Sequence, residues 1–199
     1  MEEWEEVRHS HTLPSLPTQT LDELIDLEFR KVSTSEPLLR DLAEMVKHKA
    51  LSAYAAVRVP CVVEHAGLVL SGFESKSYPG GLTQPMWDAL DAERFIEVCA
   101  PLGRQVIARA VIGYCDGLSV KTFTGEMTGV LADTPRGARS FYWDTVFCPD
   151  GFNGLTYAEI VDDPSLGLGA KMKVSQSIKA LKQMIEYQLD HRPSLFPGL

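Results

Sequence analysis

Two extended runs, residues 105–114 and 119–130, flank an Asp116-Gly117 dipeptide, and no other feature constrains the fold of this chain as strongly. The first run reads as a buried strand. The second sets Val120, Phe123 and Met127 among polar residues, and strand is its better assignment. Upstream, residues 36–57 read as the clearest helix, with Leu38, Leu42, Met45, Val46 and Ala50 at core spacing and Pro37 at a tolerated first-turn position. Arg58-Val59-Pro60 ends that helix. Cys61-Val62-Val63 is a short buried strand that resumes at Gly67-Leu68-Val69-Leu70 after a polar break at Glu64-His65. A loop rich in glycine and proline at 78–81 leads to one helix around 85–90 and another near 92–99. Residues 141–147 are aromatic and compact. The chain closes with an amphipathic helix over 173–189, with Ile178, Leu181, Met184 and Ile185 on one face. Helix and strand interleaved, then consecutive strands, fit an α/β domain with a mixed central sheet and flanking helices.

Residues 1–20 have neither helical nor strand period and read as an arm. His9 and His11 within it suit either a metal on an extended strand or plain solvation. Thr20 then caps a helix whose apolar face is Leu21, Leu24, Ile25 and Leu27, so residues 21–199 are expected to form a single domain. Acidic side chains outnumber basic ones 27 to 19, a net charge of −8. That balance argues against nucleic acid or an anionic membrane as partner, and confines any phosphate site to a local basic cluster. No apolar run is long enough to span a bilayer and the N-terminus is acidic, so the expected location is the cytoplasm. Cys61, Cys99, Cys115 and Cys148 lack the spacing of a zinc site and are expected to be reduced, packed thiols.

Three constellations offer chemistry. Glu64 and His65 emerge from a buried strand just before Gly67, where a carboxylate serves either as a Mg²⁺ ligand or in a salt bridge. Thr134-Pro135-Arg136-Gly137 leads into Phe141-Tyr142-Trp143-Asp144. Arg136 suits a phosphate or a carboxylate, and Phe141 and Trp143 suit either a base sandwich or a core. Lys171-Met172-Lys173-Val174-Ser175-Gln176-Ser177, at the start of the last helix, is either an anion site or a solvated helix start.

Taken in this order, the three resemble the Ham1-type inosine triphosphate pyrophosphatases, which hydrolyse non-standard purine nucleoside triphosphates to monophosphate and pyrophosphate. The family's Val-Glu-Asp-Thr-Gly-Leu stands here as Val63-Glu64-His65-Ala66-Gly67-Leu68, and its Pro-Arg-Gly as Pro135-Arg136-Gly137. Its Phe-Gly-Trp-Asp-Pro-x-Phe is similar to Phe141-Tyr142-Trp143-Asp144-Thr145-Val146-Phe147. Pro149-Asp150-Gly151 and Thr156-Tyr157-Ala158-Glu159 match the pieces that follow, and Gly113-Tyr114-Cys115-Asp116-Gly117 and Gly125-Glu126 match as well. The likeness runs from about 43 to 187. It implies the Ham1 fold with its nucleotide-binding cleft.

The departures from the family pattern are specific. Its opening Ser/Thr-Gly-Asn-x-x-Lys, which holds the triphosphate, has no counterpart, and Thr20 stands at the lysine's place. The Asp of its Glu-Asp pair is His65. Its purine-reading Ser-His-Arg is Ser175-Gln176-Ser177, and the lysine ahead of it survives as Lys171. A further acidic ligand belongs near Glu36. The resemblance therefore implies no assigned catalytic residue, Glu64 as a metal ligand with weak Mg²⁺, and Phe141, Trp143, Asp144, Arg136, Lys171, Ser175 and Gln176 as nucleotide-binding residues. The expectation that follows is an impaired, non-enzymatic receptor for (d)ITP. It would be a homodimer that regulates a partner such as a SIR2-like NAD-depleting effector in bacterial anti-phage defence. The alternative is a working house-cleaning pyrophosphatase in which Glu64 and His65 share metal and water. A third reading is a structural subunit that binds no nucleotide.

Overall fold

The computed structural model describes residues 28–139 and 141–191. The arm, His9, His11 and the helix opening at Thr20 lie outside the described residues. The chain divides into two units, Met1–Ser33 and Thr34–Leu199. In the described part of the first, Arg30 pairs with Glu28 at 2.8 Å.

The second unit is built on four strands, β1 (Cys61–Leu70), β2 (Gln105–Cys115), β3 (Val120–Leu131) and β4 (Phe147–Pro149), hydrogen-bonded in that order. Every pairing among them is antiparallel. The Asp116-Gly117 turn sets the register. Asp116 Oδ1 accepts from the N–H groups of Leu118 (2.8 Å) and Ser119 (2.7 Å), and Gly117 adopts the positive φ of +91° that the reversal needs. β1 then lies on β2 without interruption, from Cys61 opposite Cys115 to Leu70 opposite Val106. The expected break at Glu64-His65 is therefore absent. Backbone pairing is indifferent to side-chain polarity when alternate residues point to opposite faces.

Helices cover both faces. On one, α1 (Leu42–Val57) packs Leu42 and Val46 against Val63 and Val111. The other face carries the larger core. There Leu68, Leu70, Val106, Ala108 and Met127 meet Phe95 and Ile96 of α2 (Thr83–Cys99), together with Trp143, Phe147 and Tyr157. The short α3 (Tyr157–Asp162) and α4 (Gly167–Val174) follow, and α5 (Gln176–Asp190) ends the described chain. A helix break within 83–99 is confirmed at Asp91, where φ is 60°. No helix among the described residues is long and apolar enough to cross a membrane.

Three boundaries differ from expectation. α1 begins at Leu42 rather than Glu36, because Asp41 caps it by accepting from Ala43 N–H (2.8 Å) and Glu44 N–H (3.1 Å). Leu38 is consequently 72% exposed instead of sitting in the core. Residues 142–145 form a 3-10 turn ahead of the three-residue β4. The last helix is two helices, since Ser175 (φ −54°, ψ 134°) interrupts the run and α5 starts at Gln176.

The outer edges of the sheet are occupied by side chains and loops. On β1, Leu68 N–H donates to Thr83 Oγ1 (2.9 Å), Leu70 N–H to Tyr78 O (2.9 Å), and Lys49 Nζ donates to Glu64 O (3.0 Å). On β3, Lys179 Nζ donates to Glu126 O and Gln183 Nε2 to Thr124 O, both at 2.8 Å. α5 reaches β3 so closely because of Gly125, where a Cβ would sit 1.9 Å from Gln176 O and 2.6 Å from Ala180 N. Gly125→Ala should therefore displace α5 and lower stability by roughly 3 kcal/mol in urea unfolding, the upper range for overpacking. A cost below about 0.5 kcal/mol would show that α5 does not press on β3.

Candidate active site

Because the β1 ladder is unbroken, Glu64 and His65 project from opposite faces of the strand. His65 turns toward α1. Its Nδ1 lies 3.3 Å from Glu36 Oε2, and Lys49 Nζ from α1 lies 3.0 Å from Glu36 Oε1. Thr34 Oγ1 donates to the same carboxylate at 3.2 Å. Glu36, which the sequence left unplaced, is thus the hub of a cluster of Thr34, Lys49 and His65.

The charge states follow from these neighbours. Burial pulls the Glu36 carboxyl upward, but Lys49, His65 and Thr34 together hold it below the usual carboxylate range. Burial, and then the Lys49 charge, push the His65 imidazole below its usual range against the opposing pull of Glu36 and of a hydrogen bond to the Gly81 backbone. At neutral pH the pair is therefore a carboxylate and a neutral imidazole. A carboxylate only accepts, so Nδ1 carries the proton in that contact, and the Gly81 backbone is a second group that favours a protonated ring nitrogen. Nε2 is buried and has no hydrogen-bond partner among the described residues. A neutral imidazole oriented by a carboxylate is an arrangement suited to accepting a proton.

Glu64 belongs to the opposite face, the one that bears Ala66, Leu68 and the Trp143 core. On that side Lys171 Nζ lies 2.6 Å from Asp144 Oδ2, and both side chains are only 6% exposed. The ammonium also stands 5.5 Å from the centre of the Phe141 ring and 5.2 Å from that of Tyr157. Tyr157 O–H donates to Gln176 Oε1 at 3.1 Å. The hydroxyls of Ser175 and Thr145 are buried and have no hydrogen-bond partner among the described residues. Lys171 is thus not at the start of the last helix. It sits in the final turn of α4 in a buried ion pair, because the chain breaks at Ser175.

Phe141 and Trp143 do not form two parallel walls. Their rings are 6.5 Å apart at 72°, and Trp143, 3% exposed, packs edge-on against Phe147. Phe141, by contrast, is half exposed. Of its two expected partners Arg136 takes the carboxylate. Its Nε donates to both Glu159 oxygens at 3.0 Å and its Nη2 donates to Gly154 O, tying the 134–139 loop to α3.

Among the described residues no three His, Cys, Asp or Glu side chains converge as a metal cage. The donors are single carboxylates on either side of β1, Glu64 and Glu36. On opposite sides of β1 the two do not converge on one ion, but either alone is the single carboxylate through which Mg²⁺ binds when phosphate oxygens complete its shell. A cavity of about 480 Å³ lies alongside residues 39–44, lined by Leu39, Arg40, Asp41, Glu44, Ser75, Lys76 and Ser77. Sequence reasoning missed Lys49. Its signal was a lysine at the core-facing spacing of Leu42, Met45, Val46 and Ala50, where a buried charge needs a partner.

The Ham1 family model matches residues 2–187. A dITP/XTP pyrophosphatase of Methanopyrus kandleri is 29% identical over 83% of this chain and 81% of its own. Inosine triphosphate pyrophosphatase 2 of Trypanosoma cruzi is 31% identical over 69% of this chain and 70% of its own. The Staphylococcus aureus Ham1 protein shares the fold, with a TM-score of 0.60 at 18% identity, covering 86% of this chain and 84% of that one. These relatives overturn the expectation of a non-enzymatic receptor. That expectation weighed His65 and the missing N-terminal lysine without the Glu36 carboxylate and Lys49 that stand beside His65. With the family match spanning nearly the whole sequence, the chain belongs to the Ham1 family.

Proposed function

We propose that this protein hydrolyses a non-canonical purine nucleoside triphosphate of the dITP or XTP kind to its monophosphate and pyrophosphate. The observation that carries the reading is the Glu36–His65 pair with Lys49 beside it. His65 Nε2 takes the proton of the attacking water, and ionised Glu36 stabilises the imidazolium that forms. Since Nε2 is shielded from bulk solvent, the water it serves enters with the substrate. Lys49 keeps Glu36 ionised and holds β1 in place through the Glu64 carbonyl. Mg²⁺, when bound with the triphosphate, supplies charge compensation at the phosphate oxygens, and Glu64 is the residue proposed to hold it.

The base end of the site lies on the other face of the sheet. Phe141 offers the stacking face. The Asp144–Lys171 pair, Ser175 and Gln176 provide the polar groups that meet the base edge. Trp143 and Arg136 act as positioning residues, the first from the core beneath Phe141 and the second from the loop ahead of it. The curated relatives named as dITP/XTP pyrophosphatases support this substrate class.

Purified protein with Mg²⁺ should release pyrophosphate from dITP, XTP or ITP at least a hundredfold faster, as kcat/KM, than from ATP. The absence of Mg²⁺-dependent release from all three would reject the proposal. Glu36→Gln and His65→Asn should each lower kcat by about a hundredfold, the lower range for a general base. By NMR, the His65 ring should titrate below the usual imidazole range and move lower still in Glu36→Gln, because the carboxylate is the main group raising it, ahead of the Gly81 backbone. A midpoint at or above that range would contradict a neutral base at pH 7.

Lys171→Met deprives buried Asp144 of its lysine and should cost about 3–5 kcal/mol of unfolding free energy. The double variant Lys171→Met/Asp144→Leu should recover much of that stability while KM stays raised. Full recovery of KM along with stability would make the pair purely structural.

A further inference from the structure

β1 and β2 begin and end, respectively, on a pair of thiols. The register places Cys61 directly opposite Cys115. Ser71 N–H bonds Gln105 O at the far end of the same ladder, so residues in that phase, including Cys61 and Cys115, are hydrogen-bonded partners. The Cα atoms of such a pair are about 5.5 Å apart and their side chains leave the same face. That spacing falls inside the window a disulfide spans. Here the shared face is the one under α1, where Cys61 Sγ contacts Ala50 O at 3.8 Å. Cys115 is fully buried and Cys61 is half-buried, just after the exposed Val59. Both thiols are free in this structure, as are Cys99 and Cys148.

We propose that Cys61 and Cys115 form a thiol–disulfide exchange site, at which a low-molecular-weight disulfide oxidises the pair to a reversible cross-strand disulfide. Cys61 is the thiol a reagent reaches. Its thiolate attacks one sulfur of the reagent RSSR, forming Cys61–S–S–R and releasing one RSH. Cys115 then displaces the second RSH and closes the Cys61–Cys115 bond. The two protein thiols lose two electrons and two protons in total, and RSSR is reduced to two RSH.

Two features bear on how the site behaves. Side chains of a hydrogen-bonded pair sit farther apart than those of a non-hydrogen-bonded pair, so closing the bond draws the strand ends together. A disulfide under such strain is readily reduced, which makes the modification reversible by thiols. Exchange also selects this pair over the other cysteines. Cys99 is buried in the last turn of α2, with its thiol pushed up to about 11 by burial, and Cys148, on β4, lies beside Arg136.

The test uses the full-length native protein and oxidised glutathione at pH 8.5, followed by alkylation and peptide mass mapping. The pH is chosen because burial, and then Cys115, push the Cys61 thiol up. The expected product has lost two hydrogens, contains a linked Cys61–Cys115 peptide, and carries alkylated Cys99 and Cys148. Dithiothreitol should return the starting mass. Cys115→Ser should stop at a glutathione adduct on Cys61, and Cys61→Ser should leave Cys115 unmodified. Should either variant fail to fold, the wild-type peptide map decides alone. A persistent glutathione adduct on wild-type Cys61, a different pairing, or no reaction after prolonged oxidation would each overturn the proposal.

Discussion

The antiparallel ladder between β1 and β2 runs through Glu64 and His65 without a bulge, and the layout of the site depends on it. Continuous pairing enforces strict alternation, so the carboxylate and the imidazole are divided between the two faces of one strand. His65 is delivered to α1, where Glu36 and Lys49 wait, and Glu64 to the side of Phe141 and the Asp144–Lys171 pair. A one-residue slip would exchange the two and place the imidazole in the core of the larger face. The Asp116 turn and the close approaches at Gly113 and Gly125 hold the register against such a slip, because α1 and α5 press on those glycines from opposite sides.

The ion pairs of this protein have different consequences according to where they lie. Lys47–Glu44 and Arg94–Glu97 sit on exposed helix surfaces, where such pairs contribute between about 0 and 1 kcal/mol. Asp144–Lys171 is withdrawn from water, and taking both charges out of solvent offsets most of their attraction. A well-packed apolar pair in the same space would hold the fold equally well. What the buried pair adds is a fixed donor and acceptor beneath Phe141, with two orphaned hydroxyls, Ser175 and Thr145, among the buried groups of the same segments. Polar groups left without partners in a protein interior are suited to meeting the polar groups of a ligand.

Much of the sheet was legible in the chain, because the Asp-Gly turn and the alternation in β3 act over a few residues. The start of α1 was not, since Pro37 and Leu38 imitate a first turn. The stronger signal was Asp41, with Glu44 three residues on. The break at Ser175 was hidden by an apolar period that continues from Met172 to Ile178. The cluster around Glu36 joins residues on three different segments, and no local pattern reports a contact of that range. Family motifs located Glu64, His65 and Lys171, but geometry alone showed that Lys171 is already paired and that Trp143 belongs to the core.

The groups that cap the sheet also govern how this molecule meets others. An open strand edge is a template on which a second chain can extend the sheet, and unguarded edges lead to aggregation. Here the outward carbonyls of Thr124, Glu126 and Glu64 are taken by Gln183, Lys179 and Lys49, and Thr83 and Tyr78 take the amides of Leu68 and Leu70. At the far side the sheet tapers into a strand of three residues. Two of these caps are ammonium groups, which a neighbouring backbone could displace only by stripping a charge of its partner. Growth of the sheet from one molecule into the next is thereby disfavoured at both edges.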